Sequence, residues 1–232
     1  MSGPIATTFF AGDALEVAPL LLNKLLVRGS RALRIVEVEA YRGGEDPASH
    51  AFRGRTPRNA TMFGPPGRLY VYFTYGMHWC SNVVCAPEGT AQAVLLRAGA
   101  PVNGTDEMSM ARGLVARSGS RPWAPHELAG GPARLCQALA ITGSDNGADL
   151  VSGDRGLLLL DDGVAPPEDP ARSGRVGIRE ATDLLWRWWV PGDLHVSKGR
   201  ASGSSPSISR KQLSSARTAR GGRDEGGPGI RV

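Results

Sequence analysis

The clearest alternation of apolar and polar residues in the chain lies at residues 32–41 (ALRIVEVEAY). A period of two predicts a β-strand, in which successive side chains point to opposite faces. The valines and Ala40 then share one face, while Glu37, Glu39 and Tyr41 share the other. We therefore expect a strand that presents two carboxylates and a phenol in a row.

The rest of the hydrophobic pattern predicts a single domain of the α+β class. Residues 13–28 are typical of a capped helix, disturbed near Pro19, that leads into a strand at 25–27. Further strands are predicted at residues 69–73, 79–86, 91–98, 157–160, 175–178 and 186–190, and further helices at 106–113 and 132–140. Strands in series with few helices between them favour a curved, mostly antiparallel sheet flanked by helices. The turn sequence TYGM (74–77) between two of these strands predicts a protruding β-hairpin.

Composition separates a folded body from a basic tail. Of the 232 residues, 41% are hydrophobic and 21% are charged, which is too apolar a balance for wholesale disorder. The net charge of +5 arises in residues 198–232, which are rich in Ser, Gly and Arg, whereas residues 1–197 are close to neutral. We therefore predict one domain at 1–197 and a disordered tail at 198–232. A basic tail favours attraction to nucleic acid, although a solvated tail without a role fits the same composition.

Cysteine spacing and hydropathy exclude several classes of protein. Cys80, Cys85 and Cys136 form no CxxC pair and show no metal-ligand spacing. We therefore expect neither a disulfide framework nor a metal site, and we interpret the three thiols as core residues. Because the sequence shows no signal peptide and no run of about 20 apolar residues, we expect an intracellular protein without a membrane span.

The two glutamates of the alternating strand are candidates for catalysis. Glu37 and Glu39 would lie about 7 Å apart on one face, close enough for like charges to raise the pKa of one of them. A partly desolvated carboxylate beside the ring of Tyr41 is suited to act as a general base that activates water. The alternative is an edge strand whose polar face is simply solvated.

A segment without acidic residues favours nucleic-acid binding. Residues 47–87 contain no Asp or Glu, whereas arginines such as Arg55 and Arg58 are interspersed with aromatic residues. Guanidinium groups contact phosphates of the DNA backbone, and flat rings stack on bases or wedge between them. Tyr75, beside Gly76 in the predicted turn, is hard to bury and is a candidate wedge.

Two further polar residues are ambiguous on sequence alone. His50 is the one histidine in the irregular segment at 43–67, which is long enough to be functional, but a lone histidine in a loop is commonly an ordinary polar residue. Arg97 follows the apolar run 93–96 and is predicted at the end of a strand. There it would either pair with a strand carboxylate or face solvent.

Taken in order, these segments resemble the alkyladenine (3-methyladenine) DNA glycosylase family. The resemblance rests on VEVEAY (36–41), DPASH (46–50), GRTPRNATMFGPPGRLYVYFTYGMHWCSNVV (54–84), AVLLRA (93–98), GGPARLCQALAIT (130–142), RVGI (175–178), RWWV (187–190) and HVS (195–197). It covers residues 10–197, and the central motif is too long for coincidence. The resemblance implies a base excision repair enzyme that flips alkylated or deaminated purine nucleotides out of duplex DNA and cuts the N-glycosidic bond.

The resemblance also implies a role for each matching residue. Glu39 matches the general base that activates water, and Arg97 matches the arginine that helps to hold this water. The other matching positions are Tyr41, His50 and Tyr72 in the wall of the base pocket, Asn82 at its floor, and Tyr75 as the side chain that enters the minor groove.

The implied enzyme is monofunctional and needs no cofactor. A lyase would need an amine nucleophile, but Lys24 lies on the early helix, and Lys198 and Lys211 lie in the tail. The zinc-deaminase signature H-x-E…P-C-x-x-C is missing. The expected partner is double-stranded DNA that contains damaged purines, bound by a monomer in the cytoplasm of a bacterial cell, at the nucleoid.

Two alternatives stay open on sequence alone. One is a module of the same fold that binds nucleic acid without catalysis, and the other is a domain for another purine or formyl-type ligand. The joint presence of Glu39, His50 and Arg97 argues against the first. Gly99 and Ala100 stand where the family usually has a bulky residue and an acid, which is expected to loosen the packing behind Arg97.

Overall fold

The computed structural model of the protein describes residues 3–114 and 124–199. The tail predicted at 198–232 lies outside the described residues, apart from Lys198 and Gly199. Within the described ranges, no helix has the length and apolar character that crossing a bilayer requires.

Nine strands of the described residues form one curled antiparallel sheet, a half-barrel. They are β1 (Gly3–Pro4), β2 (Leu25–Arg28), β3 (Arg31–Tyr41), β4 (Leu69–Thr74), β5 (His78–Cys85), β6 (Gln92–Asn103), β7 (Leu157–Asp161), β8 (Ala171–Ser173) and β9 (Arg187–Trp189). Seven of them follow the order β1-β7-β2-β3-β6-β5-β4, while β9 pairs with β3 and β8 pairs with β9. The predicted α+β class with a curved antiparallel sheet is confirmed.

Four short α-helices pack on this sheet in the part of the chain that the structure describes. They are α1 (Ala14–Leu20), α2 (Thr105–Ala111), α3 (His126–Ala129) and α4 (Pro132–Ala138). The carboxylate of Asp13 caps α1 by accepting a hydrogen bond from the backbone N–H of Leu15 at 2.9 Å. Pro132 stands at the start of α4, where its missing N–H costs no helical hydrogen bond. α1 packs against β3 and β6, and α4 packs against β5 and β6.

The strand predicted at residues 175–178 is wrong. This segment has no regular secondary structure, and the strand in its neighbourhood is instead β8. The apolar residues of RVGI suggest a strand with a buried face. In the structure, the fully buried side chain of this segment is instead that of Arg175. The helix α3 was not predicted.

β3 lies in the middle of the sheet, so the alternative of a solvated edge strand is wrong. One edge of β3 pairs with β6 along most of its length, and the other pairs with β2 and then with β9. Both of its faces are covered as well, because the consecutive residues 35–40 are all buried, Glu37 and Glu39 fully. Two carboxylates that are withdrawn from water in this way require partners that carry positive charge.

The packing behind Arg97 is close rather than loose, because Gly99 leaves room for β3. A Cβ atom added to Gly99 would lie 2.8 Å from the Cβ of Leu33, a distance at which one of the two strands must move. A bulky residue therefore has no place at this position of the chain.

We expect Gly99→Ala to destabilise the protein by about 1–3 kcal/mol, because the added methyl group overpacks the contact between β3 and β6. The measurement is the free energy of unfolding from a urea titration. Gly44→Ala is the matched control, since no heavy atom lies within 4 Å of a Cβ added there, and it should be neutral or slightly stabilising. Equal effects of the two substitutions would contradict the close contact.

Candidate active site

A β-bulge brings Arg97 to the two buried carboxylates. Along β3 and β6, Ala98 stands opposite Glu37 while Leu96 stands opposite Val38, so Arg97 is an extra residue on β6. Bulges bend a strand and re-aim the side chain of the extra residue. The sequence predicted Arg97 at the end of a strand, but the residue lies within β6. Of the two alternatives for its side chain, the structure shows pairing with strand carboxylates.

The guanidinium group of Arg97 lies between Glu37 and Glu39. Its Nε donates to Oε1 of Glu37 at 2.7 Å, and its Nη1 lies 3.2 Å from Oε1 of Glu39. Burial by itself would lower the pKa of Arg97, but the charges of Glu39 and Glu37 raise it above its usual value. Arg97 is therefore a permanent cation, held by both carboxylates.

Glu37 accepts four hydrogen bonds, three of them at one oxygen. Its Oε1 accepts from the Nε of Arg97 and the Nε of Arg187, each at 2.7 Å, and from the hydroxyl of Ser197 at 2.9 Å. Its Oε2 accepts from the backbone N–H of Ser197 at 2.7 Å. Burial alone would raise the pKa of Glu37, but the charges of Arg97 and Arg187 and these hydrogen bonds hold it below its usual value. The expectation that a neighbouring carboxylate raises this pKa is wrong for Glu37, because two arginines lie closer.

Glu39 has a different set of partners. Its Oε2 accepts from the hydroxyl of Tyr41 at 3.0 Å, and its Oε1 accepts from the backbone N–H of Val176 at 2.7 Å. The segment that carries Val176 was recognised in the sequence as the motif RVGI, but its backbone contact with the candidate base was not predicted. Such a contact leaves no signal in residue types, because any residue except proline donates it.

A cavity of about 590 Å³ lies in front of this cluster. Among the predicted site residues, its lining includes Tyr41, His50, Tyr72, Tyr75, Asn82 and Arg97. Glu39 itself is fully buried, and its partners Tyr41, Arg97 and Val176 line the cavity. The folded chain thus brings together six predicted residues around one cavity of a size that suits a small ligand.

Aromatic rings make up one side of the cavity. The ring of His50 meets the ring of Tyr72 edge-on, with centroids 4.5 Å apart, and Tyr72 stacks on Tyr70 at 5.6 Å. The Nδ1 of His50 lies 3.1 Å from the hydroxyl of Tyr70. Loss of water around the ring, and then the charge of Arg58, lower the pKa of His50 below its usual value. His50 is thus favoured as a neutral hydrogen-bonding group.

Tyr70 is a member of this aromatic group that the sequence did not single out. It is buried, and burial raises its pKa to about 12. Its backbone oxygen accepts a hydrogen bond from Nδ2 of Asn82 at 3.2 Å, which fixes the predicted floor residue. Alternation along LYVYFT (69–74) puts Tyr70 and Tyr72 on one strand face, and this signal was available in the sequence.

One of the cysteines also reaches the cavity. Cys80 stands opposite Tyr72 in the β4–β5 ladder and lines the cavity. Burial, and then the neighbouring thiol of Cys80, raise the pKa of Tyr72 far above its usual value. Cys80 is therefore more than a core residue, whereas Cys85 and Cys136 are buried in the core as expected.

The loop that carries His50 is fastened by a buried ion pair. Asp46 and Arg175 are both fully buried, and the Nη2 of Arg175 donates to Oδ1 of Asp46 at 2.8 Å. The Nη1 of Arg175 also donates to the backbone oxygen of Ala40 at 3.0 Å, and its guanidinium carbon lies 4.6 Å from the centroid of the Tyr41 ring. This pair joins the loop, the end of β3 and the segment before Val176.

The connection between β4 and β5 exposes Tyr75. The two strands pair from Leu69 and Val83 to Thr74 and His78, and residues 75–77 join them. Tyr75 and Gly76 both have positive φ angles, 51° and 64°, as type I′ turns require. Tyr75 is 79% exposed. That the β4–β5 pair protrudes from the molecule stays a prediction.

Arg55 and Arg58 lie on the surface, and Arg58 contacts the end of β4. The Nη2 of Arg58 donates to the backbone oxygen of Phe73 at 3.2 Å, and the guanidinium carbon of Arg55 lies 6.0 Å from the ring centroid of Phe63. Both arginines are exposed and lie outside the cavity lining. Their charge is therefore available to a partner that approaches this surface.

Comparison with known proteins agrees with this arrangement. The sequence model of the methylpurine-DNA glycosylase (MPG) family matches residues 8–194. A Burkholderia lata protein named "Putative 3-methyladenine DNA glycosylase" is 55% identical over 190 residues, which cover 82% of this chain and 88% of its own. Proteins of the same name from Streptomyces avermitilis and Frankia casuarinae are 48% and 47% identical and cover 85% and 86% of this chain and 92% and 94% of their own.

The family match and the relatives together define the class of protein as a DNA N-glycosylase, a hydrolase of DNA repair. The chain belongs to the methylpurine-DNA glycosylase family, and the resemblance noted in its sequence is thereby confirmed. DNA is accordingly its substrate.

We expect Asp46→Asn to lower the free energy of unfolding by about 3–5 kcal/mol, because it leaves the charge of Arg175 buried without its partner. Urea titration measures this loss. Asp183→Asn is the control, since Asp183 is exposed, and surface substitutions of this kind change stability by about 0.5 kcal/mol or less. A loss at Asp46 no larger than that of the control would show that the pair does not fasten the loop.

Proposed function

We propose that the protein removes alkylated purines, 3-methyladenine among them, from double-stranded DNA and leaves an abasic site. Deaminated purines are included as substrates for the same site. The observation that carries the proposal is that the three partners of Glu39, namely Tyr41, Arg97 and Val176, all line one aromatic cavity. Acting on chromosomal DNA, the enzyme works as a monomer at the bacterial nucleoid.

Hydrogen bonding, taken together with position relative to the cavity, supports Glu39 rather than Glu37 as the general base. Each oxygen of a carboxylate has about two lone-pair sites. Glu37 accepts four hydrogen bonds, and two of the residues that donate them, Arg187 and Ser197, lie outside the cavity lining, whereas all three partners named for Glu39 line it. Oε2 of Glu39 accepts one from Tyr41 among the described residues and keeps a site for a water proton. Glu39 is therefore the carboxylate that can take a proton from water.

In the proposed reaction, a water molecule between Glu39 and the sugar attacks the anomeric carbon. The bond from this carbon to the purine nitrogen breaks, and the purine leaves with the bonding electron pair. Oε2 of Glu39 takes the proton of the water. The carboxylate also stabilises the positive charge that develops on the sugar, which is an electrostatic contribution to lowering the barrier.

The aromatic wall supports selectivity for alkylated purines. Alkylation gives the purine a positive charge, so it leaves readily and is attracted to the faces of electron-rich rings such as Tyr41 and Tyr72. Asn82 at the floor, held by the backbone of Tyr70, offers a polar group that disfavours the amino group of guanine. Selection of this kind needs only a loose fit to each lesion.

Tyr75 and the nearby arginines support the flipping of the nucleotide. Extruding a base from duplex DNA costs a few kcal/mol, and less for a damaged base. A tyrosine inserted into the vacated space restores part of the lost stacking. Tyr75 is exposed next to the cavity, while Arg55 and Arg58 carry charge suited to the phosphates.

We expect Glu39→Gln to lower the single-turnover rate of excision by about 10²- to 10⁴-fold and to leave duplex binding intact, because Gln neither accepts the proton nor carries the negative charge that stabilises the sugar in the transition state. The assay follows abasic product from duplexes that contain an alkyladenine or hypoxanthine. Glu88→Gln is the matched control, since Glu88 is exposed in the turn after β5 and should react at the parent rate.

Three results of this assay would contradict the proposal in different ways. An unchanged rate for Glu39→Gln would assign the base elsewhere. Binding without excision by the parent protein would favour the non-catalytic module, and neither binding nor excision would favour a domain for another ligand.

We expect Tyr75→Ala to weaken binding and excision of lesion duplexes by about ten- to hundredfold, because the lost ring no longer replaces the stacking of the flipped base. Affinity for undamaged duplex, measured by fluorescence anisotropy, should change little. Tyr75→Phe is the control that keeps the ring and should retain parent activity. Equal losses on damaged and undamaged duplexes would argue against a wedge.

A further inference from the structure

We propose that Glu37 is a positioning residue that anchors Arg97 and so leaves Oε2 of Glu39 open to water. This inference rests on the proposed function of Glu39. It assigns a task to the first carboxylate of the VEVEAY segment, which contacts neither the cavity nor, on our proposal, the substrate.

The guanidinium group of Arg97 is oriented from the side of Glu37. Its Nε donates to Oε1 of Glu37 at 2.7 Å, and its Nη2 donates to the hydroxyl of Ser197 at 3.3 Å. Only Nη1 is directed to Glu39, at 3.2 Å from Oε1. Two of the three nitrogens of Arg97 are thus held away from Glu39.

Glu37 is itself held in place by groups from two other parts of the chain. Arg187 on β9 donates to it from one side, and Ser197 donates with both its backbone N–H and its hydroxyl from the segment that follows β9. The charges of Glu37, Glu39, Arg97 and Arg187 sum to zero. The cluster is therefore compensated as a whole, although each charge is buried.

The removal of the charge of Glu37 changes the balance around Glu39. A planar guanidinium group forms two parallel hydrogen bonds with a carboxylate wherever it is free to turn. Without the anion of Glu37, Glu39 is the remaining anion within reach of Arg97. We expect Arg97 to turn and occupy both oxygens of Glu39, including the site that the water needs.

The groups around Glu39 other than Arg97 are not altered by a substitution at Glu37. They are Tyr41 on β3, the backbone N–H of Val176, and, facing Glu39 from β4 and β5, Tyr72 and Cys80. Arg187 on β9 is the other charged neighbour, since it stands opposite Glu39 in the β3–β9 ladder. A change in the pH dependence of excision after a substitution at Glu37 is therefore traceable to the arginines.

The test is Glu37→Gln in the full-length protein, with single-turnover excision measured across the pH range. We expect the rate to fall by about ten- to hundredfold while the concentration for half-saturation with lesion duplex stays unchanged. The acid-side midpoint of the rate profile should move to lower pH, because loss of the anion of Glu37 leaves the buried cluster with a net positive charge. Glu88→Gln is again the matched control, with the parent profile.

A purely structural role for Glu37 would give another result. It would reduce the active fraction and the unfolding temperature and leave the midpoint unshifted, which would overturn the inference. If Glu37→Gln does not yield folded protein, Ser197→Ala serves instead, because it removes one hydrogen bond to Glu37 and one to Arg97. The midpoint of the Ser197→Ala profile should move in the same direction by a smaller amount. Ser152→Ala, on the surface, is the control and should keep the parent midpoint. An unmoved midpoint for Ser197→Ala would overturn the inference.

Failure of this inference is distinguishable from failure of the proposed function. If the parent protein excises no purine, the proposed function fails and this inference with it. If the parent protein is active and depends on Glu39 but the profile of the Glu37 variant is unshifted, the inference alone fails.

Discussion

The site depends on one interaction, a buried arginine that lies between two buried carboxylates. Withdrawing each such ion from water costs several kcal/mol, and the loss is offset only where charges and hydrogen bonds are matched closely. In this protein Arg97 and Glu37 meet at 2.7 Å, and the second arginine, Arg187, completes a neutral group of four charges. Because the members come from β3, β6 and β9, the cluster forms only when the sheet is assembled with these strands in register.

The cavity wall is built from segments that are distant in sequence and are joined by close contacts. Asp46 and Arg175 connect the loop of His50 to the segment of Val176 across the end of β3. On the opposite side, Gly130 bridges to Ala98 on β6, next to Arg97. A Cβ atom at Gly130 would collide with the backbone oxygens of His126 and His195, so only glycine fits at this position. Small and fully buried residues thus define the shape of the cavity as much as its aromatic lining does.

Charge is distributed according to function in the folded part of the chain. The interior of the site is neutral as a group, whereas the acid-free segment around the cavity mouth exposes arginines and the ring of Tyr75. On the proposed function, exposed positive charge attracts the phosphates of DNA over a distance, and the neutral interior would select the flipped base at short range. The separation of these two tasks is consistent with an enzyme that binds DNA of any sequence and reacts only with damaged purines.

Much of the fold and of the site was predictable from local patterns. Alternation over residues 32–41 predicted β3 and the shared face of Glu37, Glu39 and Tyr41, and the family motifs pointed to the residues now found around one cavity. The β-bulge at Arg97 was not predictable, because a bulge depends on how two strands pair and leaves no mark in either one. The strand predicted at 175–178 is wrong for the same reason. Arg175 in this segment is buried because it pairs with Asp46, which lies in another part of the chain.

By itself, the sequence determined the α+β class, the family and the side chains available for chemistry, because these follow from local periodicity and from motif identity. Only the tertiary structure decided which carboxylate has its partners in the cavity wall, how Arg97 is divided between the two, and that Ser197 and Val176 complete the cluster through backbone groups. The physical reason is that hydrogen-bond partnership and burial are properties of atoms brought together from distant parts of the chain, which no local pattern records.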